Sequence, residues 1–183
     1  AGLAGGSGNA AAVLQSLNML YNTGLTNDQL CEMALELGAD VPYCILGGTY
    51  LAEGIGEKLT PLPSMKKCVI LMVKPPINVS TASIYNAIDS APINNRPDTE
   101  SMILALEHGD INSVAENLSN VMGTVTEELH PIIRGIKQKM IMNGAIGAEM
   151  SGSGPTVFGI FPDFETAKRS HDSFAYQFKD VFL

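Results

Sequence analysis

The sequence predicts a globular fold of helices and strands that do not alternate, organised as one domain or two small ones. Three observations carry that expectation. The chain has 183 residues, 45% hydrophobic and 16% charged, which is enough apolar side chain for an ordinary core and leaves no basis for disorder. Apolar residues recur at helical spacing through most of the chain, with short β-prone runs between them. The later elements do not follow a strand-helix-strand order, so a doubly wound parallel sheet is a poor match.

The first stretch, AGLAGGSGNAAA, reads as a tight glycine loop over Gly2 to Asn9, followed by a helix from Ala10 to Tyr21 with Val13, Leu14, Leu17 and Leu20 at helical spacing. Thr26 and Gln29 form a capping-box pattern for a second helix, which Gly38 stops. Tyr43 to Leu51 is β-prone, interrupted by Gly47 and Gly48, and Gly54 and Gly56 mark a further turn. Pro61 and Pro63 suggest a domain boundary near residue 64, and KCVILMVK from Lys67 reads as a buried strand. Ser80 opens a helix through Ile88, and a polar loop follows over 92–97. Helices are predicted over 99–107, 110–129 and 131–142, strands over 145–150 and 156–161, a helix over 163–178, and the start of a strand at Asp180.

Composition excludes several classes of function. A net charge of −8 argues against nucleic-acid binding, which needs a basic surface. The apolar runs Cys68 to Val73 and Val157 to Phe161 are far shorter than the ~20 residues of a membrane helix, and no charged-then-apolar signal opens the chain, so a soluble cytoplasmic protein is expected. Cys31, Cys44 and Cys68 lack metal or redox spacing and read as core thiols. His108, His130 and His171 are scattered without ligand spacing and read as surface or capping residues.

Three places could carry chemistry. In the opening loop, glycines let backbone N–H groups converge on a phosphate at a helix N-terminus, with Ser7 adding a hydroxyl and Asn9 a cap. The loop lacks the GK[ST] ending of a P-loop, and an ordinary turn capping a core helix fits the same residues. Asp40, two residues before a proline in a non-helical link, could accept a proton from a substrate hydroxyl, or could simply close a turn. Ser151-Gly152-Ser153-Gly154, between two predicted strands, could form a second anion nest or a plain hairpin turn.

Taken together, GLAGGSGNAAA, LGADVPYCILGGTYLAEGIGEKLTPL and MSGSGPTVFGIF, in that order, resemble the GHMP small-molecule kinases across essentially the whole chain. The middle stretch, Leu37 to Leu62, is most similar to the members that act on a cytidine-diphosphate-linked methylerythritol; the glycine loops alone suit homoserine or mevalonate kinases as well. The resemblance implies a two-domain α+β fold. Residues 1–64 would be the end of a ribosomal-protein-S5-like N-terminal domain containing a left-handed βαβ crossover, and residues 65–183 a ferredoxin-like C-terminal domain.

It also implies a reaction, transfer of the γ-phosphoryl group of ATP, with Mg²⁺, to the substrate's C2 hydroxyl in the non-mevalonate route to isoprenoids. Gly2, Leu3, Ala4, Gly5, Gly6, Ser7, Gly8 and Asn9 would wrap the ATP phosphates, with Ser7 the candidate magnesium contact, and Asp40 would be the catalytic base. Ser151, Gly152, Ser153 and Gly154 would form the family's third motif. Thr81 and Tyr85 would line the cytidine pocket, the Tyr85 ring stacking on the base; read from the residues alone, Tyr85 suits a core position equally. The expected partner is a small molecule, with the chain a monomer or homodimer. Two departures stand out. The segment that carries the family's first motif and catalytic lysine is not in this sequence, which implies a truncated chain that is inactive by itself, with a catalytically inactive nucleotide-binding fragment as the alternative to a kinase. Gly8 stands where relatives generally carry a second serine.

Overall fold

The computed structural model describes residues 2–89 and 96–183. It divides into two compact units, one of Ala4–Ser64 and one of Met65–Leu183 together with the first three residues.

In the first unit, helix α1 spans Gly5–Leu20, so most of the expected loop is helical. Ala4, with a left-handed φ of 46°, turns the chain into the helix, and the Gly8 N–H donates to the Ala4 carbonyl at 2.8 Å to close the first turn. Asn9 therefore lies inside the helix and does not cap it. Helix α2 (Asn27–Leu35) starts on the anticipated box: the Gln29 N–H donates to Thr26 Oγ1, and the Thr26 N–H donates to Gln29 Oε1. It ends before Gly38, whose N–H reaches back to the Ala34 carbonyl.

The β-prone reading from Tyr43 is corrected at its start, because Val41–Leu46 forms a short helix, α3. Pro42 in its first turn favours helical φ, and Gly47 at φ 62° ends it. Strands β1 (Thr49–Glu53) and β2 (Lys58–Leu62) then pair antiparallel. No parallel strand pair occurs in this unit among the described residues, so the implied crossover has no counterpart in them. Ala11, Leu30, Ala34, Val41 and Ile45 form the unit's buried core. Of the stripe read from the sequence, Leu14 packs against that core, while Val13, Leu17 and Leu20 are 57%, 45% and 71% exposed.

The second unit contains β3 (Val69–Lys74), α4 (Thr81–Asp89), α5 (Thr99–His108), α6 (Ile111–Glu116), α7 (Val121–Leu129), α8 (Ile132–Met142), β4 (Gly147–Met150), β5 (Val157–Phe161), α9 (Phe164–Ala175) and β6 (Asp180–Phe182). Its four-stranded sheet has the order β4-β5-β3-β6 with every pair antiparallel, the ferredoxin-like arrangement. Val69 pairs with Phe161 and Val73 with Val157, and β6 closes the other edge of β3.

The single helix expected over 110–129 is two helices. Asn117 ends α6, and Asn120, with extended backbone at φ −143°, starts α7 by accepting from the N–H groups of Met122 and Gly123. Part of the loop expected over 92–97 lies outside the described residues; Asp98 caps α5 through the Ser101 N–H. Phe161, Phe174, Leu71, Ile133 and Met140 anchor the core between sheet and helices. Cys31, Cys44 and Cys68 are half-buried free thiols, each pushed up from its ordinary pKa chiefly by burial.

Candidate functional site

The N-terminus of α1 is open to an anion. The helix has no side-chain cap and no acidic residue in its first turn, so the N–H groups of Gly5, Gly6 and Ser7 keep the orphan status of first-turn donors and add to the positive end of the dipole. A side chain at Gly5, Gly6 or Gly8 would meet nothing within 4 Å of its Cβ, so no neighbouring group crowds the surface of this first turn at those positions. Ser7 lies half-buried in the same turn, and Leu3 and Ala4 are exposed.

Asp40 is at the N-cap position of α3 but makes no capping hydrogen bond, and among the described residues its carboxylate joins no hydrogen bond or ion pair. The turn-closing role that competed with catalysis is therefore not the one its side chain performs. The carboxylate borders a cleft of about 320 Å³ that Tyr43, Gly48 and Tyr50 also line. The two tyrosine rings meet edge to face at 6.2 Å, and the Tyr43 hydroxyl donates to the Gly48 carbonyl. A carboxylate with free lone pairs beside a cleft can accept a proton from a hydroxyl placed there.

The second unit brings Gly2 and the Ser151–Gly154 loop together. Ser151 Oγ donates to the Gly2 carbonyl at 2.5 Å. Gly2 has φ +81°, and a Cβ there would come within 2.8 Å of the Ser151 carbonyl oxygen, so glycine is what permits the approach. The loop closes on itself, with the Ser151 N–H donating to Thr156 O and the Gly154 N–H to Ser151 O. The N–H groups of Gly152 and Ser153 donate to no group among the described residues, which leaves them available to an anion.

Thr81 Oγ1 and Ser153 Oγ are hydrogen-bonded at 2.9 Å. This joins a residue predicted for the cytidine pocket to the loop predicted for the phosphates. Tyr85 follows one turn along the same face of α4 and is 52% exposed, so it is not the core residue that the sequence equally allowed. No cluster of three or more His, Cys, Asp or Glu suited to a metal occurs among the described residues. His108 lies in the last turn of α5, His130 is the C-cap of α7, and His171 Nδ1 pairs with Asp172 Oδ1.

Sequence reading missed two residues beneath the loop. Asn120 Nδ2 donates to the carbonyls of Met150 at 2.7 Å and Gly152 at 2.8 Å. Glu149 Oε1 accepts from the Met150 N–H and from Lys137 Nζ, which also reaches Glu127. Burial works against the Lys137 charge, but the bonds to the two carboxylates outweigh it and raise its pKa. An asparagine expected inside a continuous helix gave no signal of this role.

Comparison with known proteins gives a consistent family. The sequence model described as GHMP kinases N terminal domain matches residues 1–48, and the one described as GHMP kinases C terminal matches residues 102–180. The chain is 48% identical over its whole length to the 4-diphosphocytidyl-2-C-methyl-D-erythritol kinase of Clostridium novyi, of which it spans 65%. It is 50% identical to the enzyme of the same name from Alkaliphilus oremlandii, of which it spans 63%. A solved 4-(cytidine 5'-diphospho)-2C-methyl-D-erythritol kinase superposes with a TM-score of 0.83 at 30% identity, over 100% of this chain and 65% of that one. A homoserine kinase from Cytophaga hutchinsonii has the same TM-score, 0.83, at 20% identity, a likeness of fold alone. No helix among the described residues is long and apolar enough to cross a membrane.

Proposed function

Because the chain belongs to the GHMP kinase family, we propose that it serves ATP-dependent transfer of a phosphoryl group to the C2 hydroxyl of 4-diphosphocytidyl-2-C-methyl-D-erythritol. The observation that carries the substrate is the 48% identity, across the whole chain, to a relative named for that compound. The chain spans 65% of that relative's length.

The residues suit the reaction. ATP supplies the phosphoryl group. The uncapped N-terminus of α1, without an acid in its first turn, suits the polyphosphate. The unpaired Gly152 and Ser153 amides offer further donors where charge builds on the transferring group. Magnesium keeps several waters and takes few protein ligands, so the Ser7 hydroxyl suits it as the chain's own contact. Asp40 takes the proton from the acceptor hydroxyl. Thr81 and Tyr85 face the cytidine, with the exposed ring stacking on the base.

The test is turnover of the chain with ATP and Mg²⁺ on the diphosphocytidyl substrate, homoserine and mevalonate in parallel, with ADP titrated calorimetrically. Turnover of the first alone is expected of a protein that carries this chain together with the segment bearing the family's first motif, and preference for either of the others overturns the substrate. Asp40→Asn should lower turnover by about 10²–10⁴-fold with ADP affinity and stability unchanged, since the side chain makes no capping bond. Full activity in that variant removes the base from the mechanism. A second reading, nucleotide binding without turnover, fits Gly8, which brings no hydroxyl to the phosphate loop; ADP binding with no acceptor phosphorylated establishes it.

A further inference from the structure

We propose that Asn120 is a positioning residue, which locks the Ser151–Gly154 loop to the start of α7 and so holds the Ser153 amide in the form that presents it to an anion. The proposal deepens the kinase reading and rests on it for the identity of the anion.

One side chain satisfies both ends of this tie. Its Oδ1 accepts from the N–H groups of Met122 at 2.9 Å and Gly123 at 3.3 Å, capping α7. Its Nδ2 spends both protons on loop carbonyls, Met150 O at 2.7 Å and Gly152 O at 2.8 Å. Those acceptors flank Ser151, so the amide clamps the backbone on either side of the residue whose hydroxyl holds Gly2. Turning the Met150 and Gly152 carbonyls toward Asn120 constrains the peptide planes that carry the Ser151 and Ser153 N–H groups. Glu149 fixes the Met150 N–H from the other side, and Gly152 at φ +57° supplies the left-handed residue the loop needs. Among the other helices of this unit, Asp98, Asp110 and Asp163 cap α5, α6 and α9 as acceptors only. A carboxylate cannot donate to carbonyls, so the choice of asparagine at α7 matches a demand that capping alone does not make.

The two halves of the role separate experimentally. Asn120→Ser retains a capping oxygen but has no group long enough to reach the loop, and Asn120→Asp retains the cap while facing the carbonyls with negative charge. Hydrogen exchange of the bonded Ser151 and Gly154 amides, the melting temperature, and ADP affinity are read on the full chain. Expected are exchange at those amides at least tenfold faster, ADP binding at least tenfold weaker, and melting within a few degrees of the parent, with Asn120→Asp the more affected. Unchanged exchange at the loop alongside a lowered melting temperature would make Asn120 a helix cap only and overturn the proposal. If the parent chain binds no ADP while the variants still free the loop, the kinase reading fails and the positioning role stands.

Discussion

Gly2 and Gly8 look interchangeable in AGLAGGSGNAAA, yet their surroundings give them opposite responses to a side chain. Gly8 lies within α1 at ordinary helical φ, with nothing within 4 Å of the position a Cβ would take. Gly8→Ser should therefore stabilise the helix by about 0.5 kcal/mol through backbone propensity alone, read as a higher urea midpoint. A lower midpoint would mean that the open space is not open. Gly2 has φ +81° and backbone oxygen 2.8 Å from the same construction. Gly2→Ala carries a left-handed penalty of about 1–2 kcal/mol as well as the clash, and should loosen the tie to Ser151 and weaken ADP binding. Composition suggests an anion-binding segment in the opening stretch, but neither φ nor the contact with a loop 149 positions away leaves a trace in the residue types. The same holds for Asn120, whose donors act on residues far along the chain.

Elements with their own local signals were legible, and those decided by neighbours were not. The capping box of α2, the strand Val69–Lys74 and the two strands around the SGSG loop follow from side-chain pattern. Val41–Leu46 has β-prone residues but is helical, because Pro42 and the left-handed Gly47 outweigh a weak strand preference in so short a run. The break between α6 and α7 is set by extended backbone at Asn120, which periodicity alone passes over. Gly147 in β4 would place a Cβ 2.8 Å from Ala115 of α6, so Gly147→Ala should overpack that contact and destabilise by about 1–3 kcal/mol in urea. The caps also titrate. Hydrogen bonds from Ser113 and Asn112 lower the Asp110 pKa below its ordinary value, and bonds from Ser101 and Thr166 do the same for Asp98 and Asp163. A group whose folded pKa is lowered stabilises above the ordinary carboxylate range and loses that contribution as pH falls through the lowered value. Helix content followed by far-UV circular dichroism should drop below about pH 4, and Asp110→Asn, which caps without titrating, should flatten part of that drop.

At the scale of the molecule, two cores of unequal quality predict an order of unfolding. The first unit buries Ala11, Leu30, Ala34, Val41 and Ile45, two of them alanines, and leaves much of the apolar surface of α1 exposed. The second encloses Phe161, Phe174, Leu71, Ile133 and Met140, with a four-stranded sheet to hold them. Burial of a large side chain contributes about 1.5–3 kcal/mol and an alanine far less, so the second unit has the greater hydrophobic stabilisation. Native-state hydrogen exchange in increasing urea should release the amides of α1, α2 and α3 before those of β3 and β5. Phe161→Ala, which removes a fully buried ring, should cost about 3–5 kcal/mol and draw the β3 and β5 release toward lower urea while leaving that of α1 in place. Release of all these amides at one urea concentration in the parent, moved as a block by Phe161→Ala, would instead make the chain a single cooperative unit. In that case ADP bound by the glycine segment would raise the midpoint of every element at once, whereas separate units would confine most of that rise to α1, α2 and α3.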